Sequence, residues 1–198
     1  MRARTLPRAF YRRDSRVVAP ELLNKVLRLS VEGAPPVAAR IVEVEAYAGA
    51  EDPGSHGYRG ETARTRTMFG RAGHLYVYFT YGMHWCANAV CGEMGESSAV
   101  LLRAAAPLEG LDRLRSNRGP AAKRDRDLCS GPAKLCQAFG IDRAFDGADL
   151  IAGDLGLRIL DDGTPPPDAP VVTRRIGLSA GVEHEWRWLV PGDPNVSR

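Results

Sequence analysis

Two carboxylates and one guanidinium in this chain stand where strand chemistry makes charge expensive. The segment Arg40-Ile-Val-Glu-Val-Glu-Ala-Tyr47 alternates apolar and polar residues, the period of a half-buried strand. Strict alternation puts Ile41, Glu43, Glu45 and Tyr47 on one face, and Val42, Val44 and Ala46 on the other. Glu43 and Glu45 are then about 7 Å apart beside a phenol ring. Alternating Glu is most often a solvated face. Against that, Glu is a poor strand former and like charges on one face repel. The catalytic alternative makes one carboxylate a general base and the other a structural ion-pair partner. Arg103 is the lone charge in Ala99-Val-Leu-Leu-Arg-Ala-Ala-Ala106, and such a charge is costly unless paired. Its expected partner is Glu43 or Glu45, a pairing compatible with a mechanistic role beside the same carboxylates.

Further candidates lie downstream. In Glu51-Asp-Pro-Gly-Ser-His56, Asp52 before Pro53 is expected to start a short helix that presents His56. A lone His is more often a satisfied polar residue; it matters here only if it faces the same cavity as Glu45. No second His or Cys has ligand spacing nearby, so no metal site is expected. In Thr62-Ala-Arg-Thr-Arg-Thr-Met-Phe69, Arg64 and Arg66 alternate with threonines, a donor set that suits phosphate oxygens or plain solvent. Leu75 to Thr80 and His84 to Val90 flank Tyr81-Gly82-Met83 as a hairpin, with Tyr76 and Tyr78 on one face. Strand aromatics are mostly core. Tyr81 and Met83 at the turn are different, because exposed apolar bulk there is wasteful unless it acts as a wedge against stacked bases.

These groups must be held by a sizeable core, and the chain can build one. It has 198 residues, 44% of them apolar, which fits one globular domain rather than a disordered or fibrous chain. The longest apolar stretch, Ala99 to Leu108, is broken by Arg103, whereas a membrane span needs about 20 apolar residues. No apolar run follows the basic N-terminus, so a cytoplasmic protein of bacterial type is expected. Cys86, Cys91, Cys129 and Cys136 have neither zinc spacing nor a disulfide context and read as buried thiols. Of 27 basic side chains only Lys25, Lys123 and Lys134 are lysines. Arginine enrichment follows from a GC-rich genome or from phosphate binding. Its uneven distribution favours the second. Residues 1–19 carry six Arg against one Asp, residues 103–126 seven basic against three acidic, and residues 142–168 two Arg against seven Asp.

The coarse element reading has a short helix entered at Pro20, then strands from Lys25 to Val31 and Val37 to Tyr47. A long polar loop covers Glu51 to Gly73. The hairpin follows, then a strand over Ser98 to Ala105, a helix over Leu108 to Arg115 and a mobile stretch over Arg118 to Asp127. A helix capped by Ser130 runs through Phe139, and strands cover Leu157 to Leu160, Val171 to Ile176 and Trp186 to Val190. Hairpin-grouped strands with helices between them predict an α+β fold: a single domain on a curved, mostly antiparallel, open-barrel-like β-sheet, with surrounding helices and a protruding β-hairpin. Residues 1–18 are expected to be a flexible Arg-rich segment.

With these residues in hand, the chain resembles the alkyladenine (3-methyladenine) DNA glycosylase family. RIVEVEAY, EDPGSH, TARTRTMF, GHLYVYFTYGMHWCAN and VLLRAAAPLEG carry the resemblance in order and spacing. CSGPAKLCQAFGI, RRIGLSAG and WRWLVPGDPNVSR add weaker matches, and coverage is nearly complete from Arg40 onward. Departures are His84, where some relatives have Tyr, and Ala63, where some have Pro; the segment from Arg2 to Arg16 has no place in the pattern. The resemblance implies a monofunctional glycosylase that flips alkylated or otherwise damaged purines out of duplex DNA, without a cofactor or lyase step. The implied substrates are 3-methyladenine and 7-methylguanine, with hypoxanthine and ethenoadenine as further candidates. Carried over by position, Glu45 activates the attacking water and Arg103 helps hold it. Tyr47, His56 and Tyr78 line the base pocket, and Asn88 at its floor disfavours guanine. Tyr81 with Met83 fills the vacated stack, and Arg64 and Arg66 meet the backbone. The expected partner is double-stranded DNA with damaged purines, bound by a nucleoid-associated monomer that needs no protein partner and no membrane. Glycosidic chemistry agrees, since a carboxylate both stabilises an oxocarbenium-like sugar and takes a proton from water. Schiff-base chemistry needs an amine, and no lysine lies in the pocket motifs.

Two other classes compete. A non-catalytic nucleic-acid-binding module would leave Glu45 structural, and the joint presence of Glu45, Arg103 and Asn88 argues against it. A hydrolase of free nucleosides has no use for a wedge at Tyr81.

Overall fold

The computed structural model describes residues 3–197. In chain order the strands are β1 (Arg4–Thr5), β2 (Val26–Leu29), β3 (Val37–Ala48), β4 (Leu75–Thr80), β5 (His84–Cys91), β6 (Ser98–Glu109), β7 (Leu157–Asp161), β8 (Val171–Thr173) and β9 (Arg187–Leu189). They form one curved antiparallel sheet in the order β1-β7-β2-β3-β6-β5-β4, with β9 joining β8 to β3. The helices are α1 (Arg8–Tyr11), α2 (Ser15–Leu22), α3 (Leu111–Arg118) and α4 (Pro132–Phe139). This is the α+β single domain that the element pattern predicts.

Strand β3 is the centre of the molecule. Its first half pairs with β2, residues 43–45 pair with β9, and β6 runs along its other edge. The β3–β6 ladder is not regular. Ile41 faces Ala105, Glu43 faces Ala104 and Val44 faces Leu102, so Val42 and Arg103 are each left without a partner. These paired bulges change which face the side chains take. Ile41 joins the core with Val44 and Ala46, although unbroken alternation predicts it beside Glu43 and Glu45. Above the bulge the odd residues are core; below it the even ones are, which leaves Glu43, Glu45 and Arg103 free to share the opposite face.

The main core lies between the sheet and α2 and α4. It contains Val18, Ala19 and Leu22 from α2, Leu135, Cys136 and Phe139 from α4, and Leu75, Val77, Ala87 and Ala89 from the β4–β5 hairpin. All four cysteines are buried and free. A smaller cluster of Met68, Tyr76, Val90 and Ala99 sits on the hairpin's other face, with Tyr78 and Phe69 against it.

Several local expectations need correction. Asp14, not Pro20, starts α2: its side chain accepts the Arg16 N–H, and Pro20 lies inside the last turn. Helix α3 begins at Leu111 because Leu108 continues β6, and Gly110 at φ 73° makes the turn between them. At that position a Cβ would run into the Pro36 carbonyl. Helix α4 has Gly131, not Ser130, at its N-cap; the Ser130 hydroxyl instead accepts from Lys134 Nζ. Asp52 starts no helix and is a buried ion-pair partner of Arg175.

The N-terminal segment expected to be flexible carries β1, α1 and the start of α2. Tyr11 is fully buried, β1 pairs with β7, and Arg8, Arg12, Arg13 and Arg16 pair with Asp149, Glu93, Glu21 and Asp14. Arg2 lies outside the described residues. The stretch from Arg118 to Asp127 is likewise structured by two short 3-10 turns and an Arg124–Asp127 pair, with Arg118 buried. Much of the positive charge that composition alone assigns to a basic face is paired with carboxylates of the same chain, largely at the surface.

Candidate active site

Strand β3 delivers Glu43, Glu45 and Tyr47 to one region, and β6 delivers Arg103 through its bulge. Neither glutamate side chain has any solvent exposure, so the solvated-face reading of the alternating glutamates fails. The Arg103 guanidinium bridges them, with Nε 2.8 Å from Glu43 Oε1 and NH1 3.2 Å from Glu45 Oε2. Burial alone would lower the arginine's pKa; the two carboxylates outweigh it and hold Arg103 above its ordinary value.

The two carboxylates have different surroundings. Glu43 accepts four hydrogen bonds: Arg103 Nε at 2.8 Å, Arg187 Nε at 2.7 Å, and the Ser197 N–H at 2.5 Å and hydroxyl at 2.7 Å. Burial pushes its pKa up. The Ser197 N–H, Arg103, the Ser197 hydroxyl and Arg187 overcome that and bring it below the usual carboxylate range. Glu45 accepts from Tyr47 OH at 2.9 Å on Oε2 and from the Ile176 N–H at 2.8 Å on Oε1. These are its two hydrogen bonds; Arg103 NH1 adds an ion-pair contact at 3.2 Å, and a carboxylate offers about four acceptor sites. Glu43 takes four hydrogen bonds, three of them on Oε1; Glu45 takes two and keeps acceptor capacity for a further donor. The structure therefore separates two residues that are equivalent in the sequence pattern.

The three partners of Glu45, Tyr47, Arg103 and Ile176, line a cavity of about 400 Å³, and Glu45 itself stands behind them rather than on the wall. Tyr47, His56, Tyr78, Asn88, Tyr81 and Arg103 all line it, so six of the sequence candidates converge from four separate stretches of chain. Burial first, then the Glu45 charge, drives the Tyr47 phenol well above its ordinary pKa, which keeps it a proton-bearing donor to Glu45. His56 Nδ1 lies 3.2 Å from Tyr76 OH, and its ring meets Tyr78 edge-on at 4.5 Å. Desolvation by its neighbours, then the Arg64 cation, lowers the His56 pKa and favours the neutral ring. Asn88 is buried and donates through Nδ2 to the Tyr76 carbonyl.

Tyr81 is 80% exposed and Met83 68% exposed. Tyr81 has φ 50° and Gly82 φ 68°, and the Met83 N–H closes the turn on the Thr80 carbonyl. Positive φ at both central residues is the turn that suits a hairpin's twist and normally takes Asn-Gly. An aromatic residue there costs of order 1 kcal/mol or more, and its ring touches no core. Met83 lies beside it on the turn but not on the cavity wall. Arg64 is exposed, its guanidinium 5.7 Å from the Tyr78 ring centroid, and Arg66 is an exposed partner of Glu61 at 3.4 Å.

The sequence reading passed over several wall residues. Tyr76 stacks on Tyr78 with centroids 5.6 Å apart, and burial raises its pKa to about 12. Cys86, Leu101, Pro132 and the loop Ile176-Gly177-Leu178 complete the wall. Alternation with Tyr78 was the available signal for Tyr76. Nothing local marks the Ile176 N–H, which reaches Glu45 across 131 positions. Among the described residues no three His, Cys, Asp or Glu side chains gather as a metal site requires, and no helix is long and apolar enough to cross a membrane.

A desolvated carboxylate behind an aromatic cavity, held by an arginine and next to an exposed aromatic turn, fits an enzyme that hydrolyses N-glycosyl bonds in DNA. Residues 9–194 match the family model described as methylpurine-DNA glycosylase (MPG). The chain belongs to this family, and with it to the DNA-repair hydrolases of alkylation damage. A Burkholderia lata protein is 57% identical over 97% of this chain and 90% of its own length. One from Streptomyces avermitilis is 49% identical over the same shares. One from Carboxydothermus hydrogenoformans is 44% identical over 98% of both chains. All three are provisionally named 3-methyladenine DNA glycosylase.

Proposed function

We propose that this protein excises alkylated and related damaged purines from duplex DNA by flipping the nucleotide into the cavity and attacking C1′ with a water that Glu45 activates. The observation that carries the reading is the acceptor site that the two hydrogen bonds of Glu45 leave open, next to the Arg103 guanidinium and behind the cavity wall. The water donates one proton to that site as it attacks, and the carboxylate charge stabilises the developing oxocarbenium ion. A base such as 3-methyladenine already carries positive charge and leaves without a strong general acid. Hypoxanthine and ethenoadenine are neutral and need more help from the pocket. Tyr47, His56 and Tyr78 supply stacking faces, and Asn88 at the floor opposes the exocyclic amino group of guanine. The reaction ends at the abasic site. A lyase step needs a nearby amine, yet Lys25 is paired with Asp161, Lys134 bonds Ser130, and no lysine lines the cavity. We infer in the same way a DNA-bound monomer in the bacterial nucleoid, with Arg64 and Arg66 on the phosphates, needing no protein partner.

The direct test is incubation with short duplexes that each hold one lesion, followed by alkaline cleavage. Strand breaks at 3-methyladenine or 7-methylguanine only after alkali are expected. Breaks without alkali would overturn the monofunctional assignment, and no break in any duplex would overturn the reaction.

The wedge has its own test. Replacing Tyr81 by Ala removes the plug from an exposed turn and leaves the same Cβ at the positive φ, so folding should be kept. Base–aromatic stacking is worth about 1–3 kcal/mol, which corresponds to roughly a 5- to 150-fold loss of excision. The loss should be largest for a lesion that still pairs well and smaller opposite a mismatch, where flipping costs less. Equal loss in both duplexes would show that Tyr81 does not act on the flipping step.

A further inference from the structure

Arg175 and Asp52 take no part in the scheme above, yet they form the most completely buried ion pair among the described residues, with no side-chain exposure on either partner. Arg175 NH1 lies 2.5 Å from Asp52 Oδ2 and NH2 2.7 Å from Oδ1, a two-pronged contact across 123 positions. NH1 also donates to the Ala46 carbonyl at 2.9 Å, and NH2 to the Gly181 carbonyl at 3.2 Å. The guanidinium carbon lies over two rings, 4.7 Å from the Tyr47 centroid and 5.1 Å from that of Trp186. Asp52 in turn accepts the Gly54 N–H at 2.9 Å.

One contact thus joins three segments that each build the cavity wall. Tyr47 comes from β3, Gly54 and His56 from the turn after Asp52, and Ile176 and Leu178 from the loop after Arg175. The N–H that follows Arg175 directly is the Ile176 donor to Glu45 Oε1 at 2.8 Å. A buried ion pair is weak evidence for stability alone, because a well-packed apolar pair of similar volume is often as good. What an apolar pair cannot do is hold the Ala46 and Gly181 carbonyls and the Asp52 carboxylate in one plane while stacking on Tyr47.

We propose that Arg175, fixed by Asp52, is a positioning residue for excision: it sets the Ile176 N–H on Glu45 and the Tyr47 ring at the cavity wall. This rests on Glu45 as the base. Lysine keeps the charge but lacks the planar fork and the stacking face, so Arg175→Lys should misplace both groups while leaving the exposed DNA-binding surface intact. A misplacement of about 1 Å in such a site costs on the order of 10²-fold in rate.

The experiment measures single-turnover excision of one lesion against enzyme concentration, for wild type, Arg175→Lys and Glu45→Gln, well below each melting midpoint. Arg175→Lys is expected to lose about 10- to 100-fold in maximal rate while its half-saturating concentration stays near that of wild type. Melting alone would respond to a merely structural pair; the maximal rate at a temperature where the protein is folded would not. An unchanged maximal rate in Arg175→Lys beside an inactive Glu45→Gln would overturn the positioning role and leave the base assignment standing. A fully active Glu45→Gln would overturn the base assignment, and this proposal with it. If Arg175→Lys does not fold, Ile176→Pro removes the donor and retains the ion pair. Gly177 at φ 78° follows it, and proline is favoured ahead of such a glycine in type II turns. That variant should show the same loss of maximal rate, and a wild-type rate would overturn the proposal.

Discussion

Glu45→Gln should bind lesion DNA and lose about 10²- to 10⁴-fold in single-turnover excision, the usual contribution of a positioned general base. The amide is nearly isosteric and keeps one carbonyl oxygen to accept from Tyr47 OH and to face Arg103 NH1. It has no basic oxygen left for the water, and its NH₂ group meets the Ile176 N–H where Glu45 Oε1 accepted it. Two donors facing each other in a buried site cost about 1–3 kcal/mol, so a modest drop in melting temperature should accompany the loss. The aromatic wall, the Tyr81 turn and the exposed arginines are untouched, and binding measured by gel shift or anisotropy should be retained. A variant that excises within tenfold of wild type while folded would remove Glu45 from the mechanism.

The second large effect falls on stability. Glu43→Ala should lower the stability by about 3–5 kcal/mol, the cost of stripping one partner from a buried charge cluster. Arg103 and Arg187 would be left facing each other around an empty space, and Ser197 would lose both of its bonds to the carboxylate. For a domain of this size each kcal/mol moves Tm by about 2–4 °C, so melting should fall by roughly 6–20 °C. The pH dependence follows from the sign of the shift. Glu43 sits below its ordinary pKa in the folded protein, so its contribution is fully present above the unfolded carboxylate value. It is lost as pH falls through the lower, folded value. The gap between wild type and Glu43→Ala should be constant at neutral pH and narrow only in acid. A variant that melts with wild type at neutral pH would contradict this account. Excision should also fall, because Arg103 loses the anchor that points its NH1 at Glu45.

The sequence by itself determined more of the site than of its supports. Strand β3, the hairpin of β4 and β5, and the paired occurrence of Glu43, Glu45 and a lone strand arginine were legible because each is a local pattern. Alternation fixes a strand, a glycine between two strand-like runs fixes a turn, and a charge in an apolar run demands a partner. The resemblance of the motifs to a glycosylase family drew on the same stretches, and the family match now covers residues 9–194. The exposed Tyr81 was legible for the same reason: a turn tip has no core to enter.

Only the tertiary structure decided which glutamate takes four hydrogen bonds and which takes two and keeps an open acceptor. That choice depends on the bulges at Val42 and Arg103, on Ser197 and Arg187 reaching Glu43, and on Ile176 reaching Glu45. It also decided that Arg8, Arg12, Arg13 and Arg16 are paired rather than free, since Asp149 and Glu93 lie far along the chain from Arg8 and Arg12. The Arg175–Asp52 pair is of the same kind, with no local signal at either end. Hydrogen-bond saturation and charge neutralisation are set by groups distant in sequence. Local periodicity carries no information about them, and they become definite only when the folded chain removes water and leaves each buried polar atom with a particular partner.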